Sequence, residues 1–215
     1  MIEIDAVESR IIGCLIEKEI TTPEYYPLTL NALVNACNQR SNRDPLVNFD
    51  DDDVTTGLER LRAKQLVSTL TGGGNRVPKY GHRLQERLNL GRREMALLCE
   101  LLLRGPQTAG ELRDRAGRMH RFGDTDEVER CLQTLAARPE QSYVTLLPRQ
   151  PGLKEPRWAL LSGTPQATEG ASAASSRPRS DQTDRVTELE GEVASLRQRM
   201  EDLEQQWVRF KQQFE

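Results

Sequence analysis

The side chains that could do proton-transfer or nucleophilic chemistry are few and scattered. The 215-residue chain has two histidines, His82 and His120, and four cysteines, Cys14, Cys37, Cys99 and Cys131. No cysteine or serine has a histidine placed as its base. The cysteines form no CxxC pair, so neither a zinc site nor a disulfide framework is indicated. Four small buried residues are the expectation instead. Gly72, Gly73 and Gly74 lie between two strand-like runs, and no Gly-Lys-Ser/Thr follows. They read as a hairpin tip and not as a phosphate loop. Asp50, Asp51, Asp52 and Asp53 lack the alternating oxygens, central glycine and closing glutamate of a calcium loop, so helix capping suffices to explain them. On these grounds we expect no catalysis, no metal and no cofactor.

Binding is the chemistry that remains. The candidate nucleic-acid contacts are Arg40 and Arg43 in a polar loop, Arg76, Lys79 and Arg83 on a first hairpin, Arg118 and Arg121 in a turn, and Arg149, Lys154 and Arg157 on a second hairpin. Duplex DNA is one candidate partner. Against it, the helices that would enter a major groove open on acids: Asp50 to Asp53 in one case, Asp124, Asp126 and Glu127 in the other. Carboxylates there repel phosphates. The same Asp50, Asp51, Asp52 and Asp53 are candidates for contacts with a protein partner. Charge balance does not decide the matter. Residues 1–84 hold ten Lys/Arg against twelve Asp/Glu, residues 85–161 thirteen against eleven, and residues 162–215 seven against ten. No strongly basic field results.

The elements that must position these residues follow from periodicity. Val7, Ile11, Cys14, Leu15 and Lys18 lie on one stripe of a helix over about residues 5–19. Thr29 starts a second helix, running to about residue 39, and Asp50 to Asp53 open a third that buries Val54, Leu58 and Leu61. Residues 66–70 and 76–84 are then strands around the glycine turn. The order repeats: a helix over 93–104, a second capped by Thr108, and a third opened by Asp124 with Val128, Cys131, Leu132 and Leu135 inward. Strands over 143–147 and 158–161 close it. Thr29 and Leu33 match Thr108 and Leu112 at an offset of 79, and Val54, Leu58 and Leu61 match Val128, Leu132 and Leu135 at an offset of 74. Three helices followed by a hairpin is the order of a winged helix. The fold class is therefore mainly α with small β-hairpins (α+β). The expected domains are a first winged helix over 1–88, a second over 89–162, a flexible Ser/Ala/Gly/Pro-rich linker over 163–182 and a coiled coil over 183–215.

The coiled coil rests on Val186, Leu189, Val193, Leu196, Met200, Leu203, Trp207, Phe210 and Phe214, which alternate gaps of three and four. Arg185 with Glu190, Glu192 with Arg197, and Arg199 with Glu204 would attract across a parallel pair. These nine residues are the expected homodimer contact, although an antiparallel pairing also fits. The N-terminus has no basic-then-apolar leader, and no apolar run approaches the roughly 20 residues of a membrane span. A cytoplasmic, non-membrane protein is expected.

The stretch ESRIIGCLIEKEITTPEYYPLTLNALVNACNQRSNRDP, with LLLRGPQTAGELRDRAGRM and LLPRQPGLKEPRWALLSG, strongly resembles the YceH-like family of uncharacterised bacterial proteins over about residues 3–163. That resemblance implies two tandem winged helices and carries over no catalytic residue. The chain departs from the family pattern on the last strand, where Trp158 stands at a position that is commonly Tyr and no His precedes Leu161. On the residues and the resemblance together, a DNA-associated regulator binding through its hairpins and a protein-interaction adaptor are the two expected functions.

Overall fold

The computed structural model describes residues 3–72, 75–138, 142–149, 152 and 155–161. They belong to one compact unit, Met1–Pro165. The linker and coiled-coil expectations lie outside the described residues, as does Lys154.

Helix α1 spans Ala6–Thr21. Asp5 caps it: its carboxylate accepts from Glu8 N at 2.8 Å, and Glu8 Oε2 accepts from Asp5 N at 2.8 Å. A single 3-10 turn, Pro23–Tyr25, leads to the short strand β1, Leu28–Thr29. Thr29 then caps α2, Leu30–Cys37. Helix α3, Asp51–Ala63, starts from a capping box between Asp50 and Asp53. The hairpin β2 (Val67–Gly72) and β3 (Asn75–His82) follows, and the sheet order is β1-β3-β2. A short α4, Leu84–Leu88, ends at Asn89, whose left-handed backbone turns the chain.

Helix α5 spans Arg92–Arg104 and stops at Gly105, where φ is +71°. Thr108 caps α6, Ala109–Ala116, and Asp124 caps α7, Thr125–Ala136. Strands β4 (Val144–Leu147) and β5 (Arg157–Leu160) form the second, antiparallel hairpin. The expected mixture of helices and small antiparallel sheets is what the described residues form, and each helix and strand expected before residue 162 has its counterpart there. Strand β1 and helix α4 were not expected, because two and five residues are too short to show a period.

The repeat goes further than the sequence match. Leu28, just before the Thr29 cap, pairs with Tyr80 on β3. Gln107, just before the Thr108 cap, pairs with Trp158 on β5: Gln107 N donates to Trp158 O at 3.0 Å and Trp158 N to Gln107 O at 2.8 Å. Each half thus uses the residue ahead of its second helix to hold its return strand. Trp158 is buried.

The halves share one core. Ten consecutive residues of α1, Glu8 to Glu17, are buried, as are the nine from Met95 to Leu103 of α5. A helix buried on every side must be covered on every side. Helix α1 is covered by α2 and α3 on one side and by α5 on the other. Full burial of Ile11, Ile12, Leu15 and Ile16 stabilises the fold by about 1.5–3 kcal/mol each. The two helices meet at Gly13, and the Cys99 thiol donates to Gly13 O at 3.3 Å across the contact. All four cysteines are buried and free, as expected. Burial pushes the Cys131 thiol up to about 11.

A Cβ at Gly13 would lie 2.9 Å from Leu103 Cγ and 3.1 Å from Leu102 Cβ, atoms held near the α5 backbone. Alanine gains about 1 kcal/mol in helix propensity, but overpacking costs about 1–3 kcal/mol. Gly13→Ala should therefore lower unfolding free energy in urea, whereas Gly110→Ala, in open space on α6, should not.

Candidate functional site

Two carboxylates sit inside the α1–α5 contact. Glu17 is on α1, and Glu100, on α5, is fully buried. An isolated carboxylate at such depth is strongly disfavoured unless it is paired. Arg43, from the loop between α2 and α3, grips Glu17 with both ends of its fork, at 3.1 and 2.5 Å. Arg118, from the turn after α6, bonds Glu17 through Nη1 and Glu100 through Nη2, the latter at 2.8 Å. Arg104 Nε lies 3.2 Å from Glu100 Oε2, and its Nη2 donates to Asn42 Oδ1 at 2.7 Å. Asp44 N donates to Leu103 O at 3.0 Å. The loop of the first half is thereby bolted to α5 and the α6–α7 turn of the second.

The arginines decide the charge states. Burial alone would raise the Glu17 carboxyl; hydrogen bonds and charge from Arg43, then charge from Arg118, outweigh it and hold Glu17 below its ordinary value. Burial also opposes the Arg118 charge, but Glu100 and Glu17 reverse that and raise it. Arg104 is lowered, by burial first, with repulsion from Arg115 and Arg118 adding to it. Cations therefore crowd this joint.

This geometry corrects the reading of Arg43 as an exposed DNA contact. Its side chain is 0% exposed, and it also donates to Ala36 O at 3.1 Å. Arg118 is largely committed to Glu17 and Glu100. Arg157 is committed too: its Nη1 donates to Pro106 O at 2.9 Å and to Glu111 Oε2 at 3.0 Å. Arg83 lies 3.5 Å from Glu86 on the surface. Arg40 and Arg121 are exposed and Lys79 is half-buried; none makes a hydrogen bond or ion pair among the described residues. Arg76 lies on β3 and Arg149 is exposed after β4. Of these residues, Arg40 and Arg118 line one cleft. Asp51 and Asp52 stand exposed at the start of α3, while Asp50 and Asp53 satisfy its first amides.

Sequence reasoning missed Glu17, Glu100 and their partners. The signal was a lone carboxylate inside an apolar run, Leu97 to Leu103, and another on the Cys14 stripe. A carboxylate in such a place needs a buried cation. It also missed His82, whose buried side chain places Nε2 2.8 Å from Glu19 Oε2. Nδ1 accepts from Leu84 N at 3.3 Å, and the backbone N donates to the Tyr26 hydroxyl at 2.7 Å. Burial, with the Glu19 charge behind it, raises the Tyr26 phenol above its ordinary value. This cluster ties the first hairpin to α1 and offers no accessible nucleophile. Among the described residues no three His, Cys, Asp or Glu could hold a metal ion, and no helix is long and apolar enough to cross a membrane.

The architecture is that of a small α+β protein whose halves are fused through a buried ion network. The family described as protein of unknown function DUF480 matches residues 4–153, and the chain belongs to that family. A UPF0502 protein of Solibacter usitatus is 52% identical over 200 residues, covering 93% of this chain and 95% of its own. One from Opitutus terrae is 52% identical over 191 residues, covering 89% and 82%. The UPF0502 protein YceH of Salmonella newport is 45% identical over 206 residues, covering 94% and 96%. The expected YceH-like membership therefore holds.

Glu17→Gln leaves Arg43 buried against a neutral amide and should lose about 3–5 kcal/mol of stability near neutral pH. Since the folded Glu17 value is depressed, its contribution is complete above the unfolded value of about 4.3 and disappears as pH falls through the folded one. Urea titrations across pH should show a shallower acid-side loss in Glu17→Gln than in wild type.

Proposed function

We propose that this protein is a non-enzymatic adaptor: two winged helices fused in tandem that bind another protein, paired with a second copy through the C-terminal coiled coil. The repeated order of three helices and a hairpin, each half with the same strand-to-cap pairing, supports the winged-helix reading. The heptad pattern of Val186 to Phe214 supports the pairing. The observation that carries the adaptor reading is the exposed face of the first hairpin. Leu70 is 44% exposed and Val77 52%. Leu70 stands opposite Lys79, and Val77 lies two residues before Lys79 on β3, in the stretch where the register with β2 shifts. A wing that grips phosphates needs cations there. This one exposes Leu70 and Val77, beside a helix that opens on exposed carboxylates.

The second reading is a DNA-associated regulator. The unspent Arg40, Lys79 and Arg121 favour it, and so does the frequency with which this architecture binds DNA, an argument by analogy. With Arg43, Arg118 and Arg157 committed internally, few phosphate contacts are left, and affinity grows with their number.

The test pairs two measurements on the full chain. Tagged wild type should retain a specific protein from nuclease-treated lysate, and both Leu70→Ser/Val77→Ser and Asp51→Lys/Asp52→Lys should lose most of it. Fluorescence anisotropy with duplex DNA at low salt should show only weak binding. Tight, salt-sensitive DNA binding, together with capture indifferent to the hairpin variant, would replace the adaptor with the regulator.

A further inference from the structure

An open cleft of about 670 Å³ lies between the end of α1, the loop after α2 and Arg118. Its walls include Lys18, Arg40 and Arg118 and only one carboxylate, Glu17. Both Glu17 oxygens are already taken, by Arg43 and Arg118. The side-chain amide oxygens of Gln39 and Asn42 are engaged as well. Gln39 Oε1 accepts from Lys18 Nζ at 3.4 Å and from Arg43 Nη2 at 3.1 Å. Asn42 Oδ1 accepts from Arg104 at 2.7 Å. Those cationic neighbours fix the amide orientations, so the NH2 groups of Gln39 and Asn42 are left to donate. The Ser41 hydroxyl and the exposed Arg40 guanidinium have no partner among the described residues.

The cleft is thus rich in unspent donors, its carboxylate and amide oxygens are engaged, and its walls carry excess positive charge. The C-terminus of α2 offsets about half a charge, but Arg10 and Arg43 already cover its last carbonyls: Arg10 bonds Cys37 O at 2.9 Å and Arg43 bonds Ala36 O at 3.1 Å. The complement of such a surface is a group with many acceptors and negative charge. Arginine favours planar, forked contacts to oxyanions.

We propose that this cleft is a seat for a phosphoryl group, with Arg40 and Lys18 as its contacts and Arg118, held by Glu17 and Glu100, adding positive charge at its wall. The cleft is open and roomier than a bare phosphate, which leaves space for a group attached to a larger body. Either a free phosphate ester or a nucleic-acid backbone supplies that chemistry. The site does not depend on the adaptor reading, because it lies on α1 and the α2–α3 loop and uses neither Leu70, Val77 nor the α3 carboxylates.

Arg40→Gln is the informative variant, since an exposed side chain without partners can be changed without touching the core. Calorimetric titration of the full chain with inorganic pyrophosphate, at constant ionic strength, should give saturable binding that weakens about tenfold in Arg40→Gln. Lys79→Gln, on the hairpin, should bind as wild type does. Parallel titrations with ADP and with a short mixed-sequence duplex separate the sources. Arg40-dependent binding of ADP alone assigns a free phosphate ester, and Arg40-dependent binding of the duplex assigns the nucleic-acid backbone. If neither pyrophosphate, ADP nor the duplex binds in an Arg40-dependent way, the proposal is overturned, whatever the lysate experiment shows.

Discussion

Glu17 and Glu100 are held in a water-poor joint between α1 and α5, and much of the structure is arranged around pairing them with cations. Removing two carboxylates from water costs several kcal/mol each. That cost is met only if cations arrive from several directions at once. Arg43 comes from the first half, Arg104 from α5 itself and Arg118 from the second half. Each half supplies a cation to its own carboxylate, and Arg118 of the second half also bonds Glu17 of the first, so the network links the halves across the joint. Apolar packing alone would let α1 and α5 slide or rotate. The forked guanidinium contacts allow one register, which Gly13 makes reachable by letting Leu103 come close.

This constraint explains which parts were legible in the sequence. Helices α1, α2, α3, α5, α6 and α7 are each marked by a capping residue, an apolar stripe or both, and these are local signals. The repeat at Thr29 and Thr108 was legible for the same reason. The docking of α1 on α5 was not, because periodicity reports that a face is buried and not what buries it. The sequence marks one helix over 93–104, whereas burial of Met95 to Leu103 on all sides means two neighbours for α5. Arg43 looked like a loop cation, since nothing local links it to Glu17, 26 residues away. The hairpin residues Leu70 and Val77 drew no notice because isolated apolar residues on strands usually face a core.

The consequence for function is a redistribution of charge. A count of arginines suggested scattered basic surfaces, yet three of the ten basic candidates work inside the protein. What remains outside is an apolar hairpin face, an acidic helix entrance and one donor-rich cleft. A rigid fused unit suits this arrangement, since surfaces contributed by both halves keep fixed spacing and binding then costs little ordering entropy.

The central claim is that the two halves form one cooperative unit, and native-state hydrogen exchange in low urea tests it most directly. If the joint couples them, the slowest amides of α1 and α3 should converge with those of α5 and α7 on one opening free energy and one urea dependence. Two isotherms, one half opening at lower free energy and with the smaller urea dependence of a half-sized unit, would contradict the account.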